Sequence, residues 1–154
     1  MATNKLHPLQ AAAQVAQSRE QSAVKAMGEC QQRLVDQENR LQQLLLFRGE
    51  YATQFQNEGS DGISARRYQD YSAFLNHMDH GIVQVQQQLV WLQQELQRKR
   101  LAWFQSRAKT KALEEVIERD RKTQLHQEDR REQRDSDEHN LRGLARRTRF
   151  TDGA

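Results

Sequence analysis

The sequence predicts an all-α protein in which two long helices form an intramolecular antiparallel coiled-coil hairpin, with the second helix overhanging at its C-terminal end. Two patterns of apolar residues and one cluster of turn-forming residues predict this fold. In each pattern the apolar residues recur in alternating steps of three and four positions. A stripe of that period, about 3.5 residues, holds one face of a helix only where two helices supercoil around each other. Each helix therefore needs a partner.

The composition agrees with this fold. Of the 154 residues only 36% are hydrophobic and 29% are charged, and the mean hydropathy is −1.03, which argues against a thick globular core. No apolar run approaches the ~20 residues that a membrane-spanning helix needs, and the N-terminus lacks the features of a signal peptide. We therefore expect an elongated helical protein of the cytosol.

The first helix is predicted over about residues 6–57, after a frayed start and with Pro8 in its first turn. Many of its early seam residues are alanines, which bury little area, so this end is expected to be the weaker part of the hairpin. Only Glu20, Gln37 and Arg48 break the apolar rule along the seam. The seam consists of Leu6, Leu9, Ala13, Ala16, Glu20, Ala23, Met27, Cys30, Leu34, Gln37, Leu41, Leu44, Arg48, Tyr51 and Phe55.

A turn is predicted over about residues 58–63, within the segment Asn-Glu-Gly-Ser-Asp-Gly-Ile-Ser. Ser64 is suited to cap the next helix, and Ile63 is expected to pack on Tyr68 as a hydrophobic staple. The second helix is therefore predicted over about residues 65–140, followed by a basic tail over 141–154. The whole chain is predicted to form one coiled-coil hairpin domain.

The second seam has the same length as the first, which favours a hairpin over a parallel dimer that would have to break at the glycines. Folding at Gly59 to Gly62 predicts that the numbers of facing residues sum to about 121. In that register Glu20 approaches Lys99, either as an aligning pair or as two solvated charges. The seam consists of Tyr68, Tyr71, Leu75, Met78, Ile82, Val85, Leu89, Leu92, Leu96, Lys99, Trp103, Ser106, Thr110, Leu113 and Ile117.

No constellation of residues predicts catalysis or a cofactor. His77 and His80 are too few for a metal site without further ligands at useful spacing, and Cys30 is interpreted as a small buried hydrophobe. The chain lacks a phosphate-binding glycine loop, a Cys-x-x-Cys motif and a nucleophile with a base. We therefore expect a protein that is not an enzyme and needs no cofactor.

Surplus apolar residues near the hairpin tip indicate an interaction surface. Phe47 and Phe74 lie beside the seam and share a level in the predicted register, and Gly81 nearby would permit close approach of a partner. Two interpretations stay open, a docking patch for another protein or two flanking residues that cover each other. The basic tail likewise has two interpretations, a docking segment for an acidic surface or a frayed terminus.

The turn and the start of the second helix carry a resemblance to a known family. This region resembles the flagellar export protein family FliJ through Gly62-Ile63-Ser64 with Arg67-Tyr68, Tyr71 and Phe74-Leu75. Tyr51 precedes these residues, and a glutamine-rich seam and a charged C-terminal helix follow them. The resemblance covers the whole chain in length and layout, although the overhanging tail matches loosely. It implies a two-helix antiparallel coiled coil similar to the central shaft of rotary ATP synthases.

The resemblance also implies partners and a location. Family members act as a stalk of the type III export apparatus, with the terminal end in the hexameric flagellar export ATPase and the tip toward the membrane export gate protein, and they escort export chaperones. The location is cytoplasmic, peripheral to the inner face of the membrane at the flagellar base, without membrane insertion. Residues implied at the gate are Leu44, Phe47, Tyr51, Phe74, Met78 and Gly81. Basic residues near the ATPase-facing end include Arg107, Lys109 and Lys111.

Two other classes of function compete with this one. A helical hairpin can grip nucleic acid through a basic face, but charges of both signs are intermixed up to about residue 140, which argues against a continuous basic stripe and against a nucleic-acid partner. A purely structural coiled-coil spacer is the other alternative. Steep salt dependence of RNA binding would favour the nucleic-acid arm, and salt-tolerant binding of an ATPase would favour the stalk.

Overall fold

The fold is a pair of long helices packed antiparallel against each other. A computed structural model describes residues 6–151 of the chain, in which α1 spans Gln10–Ser60 and α2 spans Ala65–Thr151. No strand occurs within residues 6–151. The predicted all-α coiled-coil hairpin is therefore confirmed. The frayed start predicted for residues 1–5 and the last three residues of the basic tail lie outside the described part.

Helix α1 begins four residues later than predicted because its first turn is built by His7 and Pro8. The amide of Leu9 donates to His7 Nδ1 at 3.0 Å, and the amide of Gln10 donates to the His7 carbonyl at 2.9 Å. His7 therefore caps the helix through its side chain, and Pro8 occupies a position where no amide hydrogen is needed. Leu6 precedes this cap and stays 80% exposed, so it does not belong to the seam.

The turn between the helices comprises residues 61–64. Helix α1 runs through Gly59 to Ser60, and Gly62 takes the left-handed backbone conformation with φ at 88°. The hydroxyl of Ser64 accepts from the amide of Arg67 at 3.2 Å, which confirms Ser64 as the cap of α2. The chain therefore reverses around Gly62, later than the predicted end of α1 near residue 57.

The later reversal shifts the register by about one helical turn from the prediction. The numbers of contacting residues sum to 122 for Cys30 with Leu92, 125 for Tyr51 with Phe74, and 127 for Arg48 with Asp79, so they centre about three to four above the predicted 121. Because Gly59 stays helical, the midpoint of the turn moves by two residues and the sum moves by about four. Lys99 accordingly lines a depression together with Ala26 and Glu29 of α1. These residues lie more than one helical turn from Glu20, so the predicted approach of Lys99 to Glu20 is wrong.

The predicted seams are nevertheless the buried faces of both helices. A shift of one turn moves each seam residue to the next level of the same stripe, so the buried face is unchanged. Apart from Leu6 and Tyr68, every predicted seam residue is buried or half-buried, including Glu20, Gln37, Arg48 and Lys99. Cys30 is 7% exposed in the core cluster with Leu92 and Leu96, as expected of a small hydrophobe.

The chain divides into two compact units. One comprises residues 17–107 and contains the hairpin turn; each of its two helical arms is about 65 Å long at 1.5 Å per residue. The other comprises the two terminal segments, residues 1–16 and 108–154. In this second unit Ala13, Ala16 and Thr110 are buried, and His7 Nε2 lies 2.6 Å from Asp120 Oδ2.

Helix α2 continues to Thr151, eleven residues beyond the end predicted near 140. Beyond the contact of Asp120 with His7, every described side chain from Arg121 to Arg149 is exposed, so no partner helix covers this part. It is held by local interactions, among them the ion pair of Arg121 with Glu118 at 2.8 Å and the bonds of the Thr148 hydroxyl to the Leu144 and Ala145 carbonyls. Arg is a good helix former, so the helix persists where the sequence was interpreted as a tail.

Candidate protein-docking site

Five aromatic rings form a cluster at the tip of the hairpin. Tyr51 lies between Tyr71, at 5.0 Å between ring centroids, and Phe74, at 4.5 Å. Phe55 contacts Tyr68 at 5.3 Å and Tyr71 at 5.0 Å. All four pairs are tilted by 46° to 50°, between stacked and edge-to-face, at the centroid separations at which aromatic pairs attract each other. The cluster fixes the two helices against each other immediately below the turn.

A polar group on the first turn of α2 completes the tip. Arg67 lies 2.9 Å from the Glu58 carboxylate and 5.9 Å from the centroid of the Tyr71 ring. Tyr71 is only 6% exposed, and its hydroxyl bonds to Glu58; this bond and burial raise the pKa of Tyr71, while Arg67 partly opposes them. Glu58, Arg67 and Tyr71 thus link the end of α1 to the start of α2.

The seam charge Arg48 has a partner on the opposite helix. Its guanidinium donates to both oxygens of Asp79, from Nε to Oδ1 and from Nη2 to Oδ2 at 3.3 Å. The hydrogen bond from Arg48 lowers the pKa of Asp79, and the same bond raises the pKa of Arg48. A bidentate ion pair across the seam favours one relative position of the helices at this level, because both carboxylate oxygens must face one planar guanidinium.

The six residues implied at the export gate lie on three neighbouring levels of the hairpin. Tyr51 contacts Phe74, whose numbers sum to 125. A register with that sum brings Leu44 level with Gly81 and Phe47 level with Met78. Leu44, Tyr51 and Gly81 are half-buried and Met78 is buried, whereas Phe47 and Phe74 are exposed. The set therefore combines interior residues that hold the hairpin with two phenyl rings that face solvent. We refer to Leu44, Phe47, Tyr51, Phe74, Met78 and Gly81 as the tip patch.

The expectation that Phe47 and Phe74 share a level is wrong. Phe74 packs on Tyr51 and retains 40% exposure, while Phe47 lies one turn farther from the hairpin end and is 56% exposed. The register shift separates the two rings, so the interpretation that they merely cover each other loses its basis. Gly81 has open space around it, since an added Cβ would meet nothing within 4 Å.

The basic residues implied at the ATPase-facing end are exposed on α2. The guanidinium of Arg107 lies 5.5 Å from the centroid of the Trp103 ring, in a cation–π contact. Lys109 and Lys111 belong to the unit of the terminal segments and are also exposed. Between Leu96 and Leu113 the sequence contains six Lys or Arg and no Asp or Glu, so this stretch departs from the general mixing of charges.

Sequence reasoning missed the Arg48–Asp79 pair and the group of Glu58, Arg67 and Tyr71. The signal for the first was the presence of a charge at a seam position, which requires a partner from the facing helix. The wrong register placed that partner elsewhere. The second group depends on α1 extending to Ser60, which brings Glu58 onto a helix.

The described residues give no indication of a metal site or a membrane span. Among their side chains, no group of three or more His, Cys, Asp or Glu is arranged to hold a metal ion. Neither described helix contains a segment long and apolar enough to cross a membrane.

The fold and the tip patch define the class of this protein as a two-helix coiled-coil hairpin. Comparison with known proteins narrows the class. The family model described as flagellar FliJ protein matches residues 4–149. The flagellar FliJ protein of Escherichia coli (strain K12) is 25% identical over 133 residues, which cover 86% of this chain and 90% of that protein. No solved structure matches the chain.

Because the family model covers nearly the entire sequence, the chain belongs to the FliJ family. This membership makes it a component of flagellar protein export, in a family of non-catalytic export components. The resemblance inferred from the turn and the aromatic residues is thereby confirmed.

Proposed function

We propose that this protein links the export ATPase to the export gate of the flagellar apparatus, with the tip patch binding the gate and the terminal end of the hairpin inserting into the ATPase ring. The proposal rests on the exposure of two aromatic rings, Phe47 and Phe74, on adjacent helices beside a rigid tip. Exposed aromatic residues on a fixed scaffold are the side chains that most often dominate protein interfaces.

The surroundings of these rings support a docking role. Tyr51 packs beneath Phe74, and the tip aromatic cluster together with the Arg48–Asp79 pair fixes both helices at this level. A partner therefore meets a Phe74 ring already held by Tyr51, and little freedom of that side chain is lost on binding. Gly81 leaves an open position on the same patch where a partner backbone can approach.

The gate contact is tested with Phe47→Ala and Phe74→Ala in the full chain. Each variant is expected to weaken binding to the purified cytoplasmic part of the export gate by at least about tenfold, equivalent to about 1.4 kcal/mol. Helical content by circular dichroism should be unchanged. Leu46→Ala is the matched control, because Leu46 is 66% exposed but outside the patch. If Phe47→Ala and Phe74→Ala both bind like the unaltered protein, or if Leu46→Ala weakens binding as much as they do, the tip patch is not the gate site.

Phe74 needs a further readout because it also packs on Tyr51. We expect Phe74→Ala to lower the free energy of unfolding by about 1 kcal/mol through loss of that ring contact, while Phe47→Ala changes it by less than about 0.5 kcal/mol. Loss of gate binding in Phe47→Ala, at unchanged stability, would attribute the effect to the interface. Loss of binding in Phe74→Ala alone would instead indicate a structural defect.

The ATPase contact is tested by titrating the protein into the purified export ATPase. Turnover and hexamer assembly should both rise with added protein, and the triple variant Arg107→Gln, Lys109→Gln and Lys111→Gln should reduce the effect. A matched control is Arg130→Gln with Arg131→Gln and Arg134→Gln, which removes the same charge from the overhanging part of α2. Unchanged turnover and assembly at all concentrations would reject the link to the ATPase.

Escort of export chaperones is part of the same proposal. It is supported by membership of the FliJ family. The measurement is binding of purified flagellar export chaperones to the full chain in the presence and absence of their cargo. We expect empty chaperones to bind and loaded ones to be released; equal binding of both would reject the escort role.

A further inference from the structure

The outer face of α2 carries a second repeat of alternating steps of four and three residues. It uses none of the residues of the seam or the tip patch, and every member is exposed. Repeats of this spacing mark the face of a helix that packs against another helix. We call this repeat the outer stripe; it consists of Val83, Gln87, Val90, Gln94, Gln97, Leu101 and Phe104.

The apolar members of the outer stripe contribute little to the hairpin itself. Val83 is 48% exposed, Val90 is 54% exposed, Leu101 is 59% exposed and Phe104 is 56% exposed. In a two-helix coiled coil these positions face water and are ordinarily polar. Four large apolar side chains at heptad spacing on this face therefore indicate a third helix that packs there.

A depression beside the stripe has the shape of a coiled-coil hole. It is lined by Gln84, Gln87, Gln88 and Trp91, all on α2. These four residues have the relative positions i, i+3, i+4 and i+7, which are the four corners of a hole that receives one knob side chain from a facing helix. Trp91 forms one corner and is 54% exposed, so it offers a large contact surface to the entering side chain.

The charges around the stripe specify the partner. Over residues 83–107 the basic side chains are Arg98, Lys99, Arg100 and Arg107, and the only acidic one is Glu95. Glu95 is paired with Arg98 on the same helix. Arg100 and Arg107 lie within one helical turn of Phe104, so cations border the C-terminal half of the stripe. A helix that packs on this half needs acidic flanks.

We propose that the outer stripe docks an amphipathic α-helix of another protein, with apolar residues at heptad spacing and Asp or Glu on the flanks next to Arg100 and Arg107. The apolar residues of that helix pack on Val83, Val90 and Leu101, and one of them enters the depression at Trp91. The glutamines of the stripe keep the contact reversible, because each loses water without gaining the free energy of a buried apolar side chain. This surface is separate from the tip patch, and the proposal does not depend on the gate contact. Arg107 is also proposed at the ATPase, so the test of the outer stripe leaves Arg107 unchanged.

The same features argue against other occupants. A membrane surface would desolvate Gln87, Gln94 and Gln97 without offering hydrogen-bond partners, whereas a facing helix can bond to them through its own polar side chains. A second copy of this chain would bring a basic or neutral stripe against another of the same kind, with no complementary acidic flank. Nucleic acid would use the arginines but not the valines and Leu101.

The test uses the full-length protein and two synthetic helical peptides. Both peptides carry leucines at heptad spacing; one has glutamates on both flanks and its twin has lysines. Fluorescence anisotropy is expected to show binding of the glutamate peptide, at least tenfold tighter than that of the lysine peptide. Leu101→Gln with Phe104→Gln should weaken binding of the glutamate peptide by at least tenfold. Arg100→Glu should weaken the glutamate peptide and strengthen the lysine peptide.

The matched control is Val24→Gln with Val35→Gln, which removes two apolar residues that are 45% and 46% exposed on α1. It should leave peptide binding unchanged, and circular dichroism should show equal helicity for all variants. Equal binding of both peptides, or equal loss with the control pair, would overturn the proposal. Three other outcomes would overturn the proposal in favour of a different occupant. These are binding of phosphatidylglycerol vesicles, binding of single-stranded RNA, or formation of a dimer, in each case lost with Leu101→Gln and Phe104→Gln.

Discussion

Gly81 is a residue whose role can be separated into stability and binding. Alanine is favoured over glycine inside a helix by about 0.8–1 kcal/mol, and a Cβ at this position meets nothing within 4 Å. Gly81→Ala is therefore expected to raise the free energy of unfolding by about that amount, measured by urea denaturation. If a partner approaches the glycine closely, the same change weakens gate binding.

Gly28 provides the control for this prediction. It also lies inside a helix with open space around it, far from the tip patch. Gly28→Ala should give the same gain in stability with no change in gate binding. Unaltered gate binding in Gly81→Ala would mean that the gate does not approach this position.

We expect the Arg48–Asp79 pair to make the stability of the fold depend on pH in the acid range. The pKa of Asp79 is lowered in the folded protein by its hydrogen bond with Arg48. Its contribution to stability is therefore fully present above the ordinary carboxyl value of 3.8 and is lost as the pH falls through the lower pKa of the folded state. Thermal unfolding followed between about pH 2 and pH 7 should show a smaller acid destabilisation for Asp79→Asn than for the unaltered protein.

The control for the acid prediction is Asp70→Asn, which removes an exposed carboxylate on the same helix. Its acid profile should match that of the unaltered protein. If Asp79→Asn gives the same profile as well, the pair with Arg48 makes no net contribution, as is common for ion pairs that remain accessible to water.

At the scale of the helices, the turn offers a test of the register. Gly62 has φ at 88°, a conformation that costs other residues about 1–2 kcal/mol, whereas Gly59 is helical and has open space around it. Gly62→Ala should lower the free energy of unfolding by about 1 kcal/mol, and Gly59→Ala should raise it by about 0.5–1 kcal/mol. Urea denaturation of both variants gives the comparison. The opposite order would place the reversal at Gly59 and restore the register first predicted from the sequence.

The sequence predicts the faces of the helices better than their alignment. Heptad spacing depends only on which side chains lose water, so it identified even Glu20, Gln37 and Lys99 as interior positions. The alignment depends on where the chain reverses, and Gly59 and Gly62 are equally compatible with a turn by composition. Because a shift of one turn preserves the seam, the apolar pattern could not correct the error.

The candidate site depends on that alignment and was therefore predicted only in part. Phe47 and Phe74 were correctly assigned to the surface beside the seam, but one of the two interpretations left open for them, that they cover each other, required the register predicted from the sequence. The pair of Arg48 and Asp79 could be recognised only from the two helices together. The length of α2 was underestimated because residues from 141 onward, rich in arginine, were interpreted as a basic tail, whereas the helix continues to Thr151. Local interactions and the absence of proline sustain a helix there that heptads do not signal.

At the scale of the whole molecule, the described side chains from Glu118 to Arg149 are all exposed, so this part of α2 adds no core. An unpartnered helix is held only by local bonds and loses structure gradually on heating, whereas a packed hairpin unfolds cooperatively. A chain truncated after Lys122 keeps the contact between His7 and Asp120. It should therefore retain the main transition, with a change of less than about 0.5 kcal/mol, and lose the gradual phase that precedes it.

A second truncation, after Arg107, distinguishes the overhang from the packed terminal segments. It removes Thr110, which is 4% exposed, and deprives Ala13 and Ala16 of the unit in which they are buried. Its main transition should fall in temperature and its fractional helicity should drop, because residues 10–16 would lose their packing partner. Circular dichroism melts of the three chains give the comparison. If the truncation after Lys122 lowers the main transition as much as the truncation after Arg107, the exposed part of α2 contributes to the fold, and its assignment as an unsupported helix is wrong.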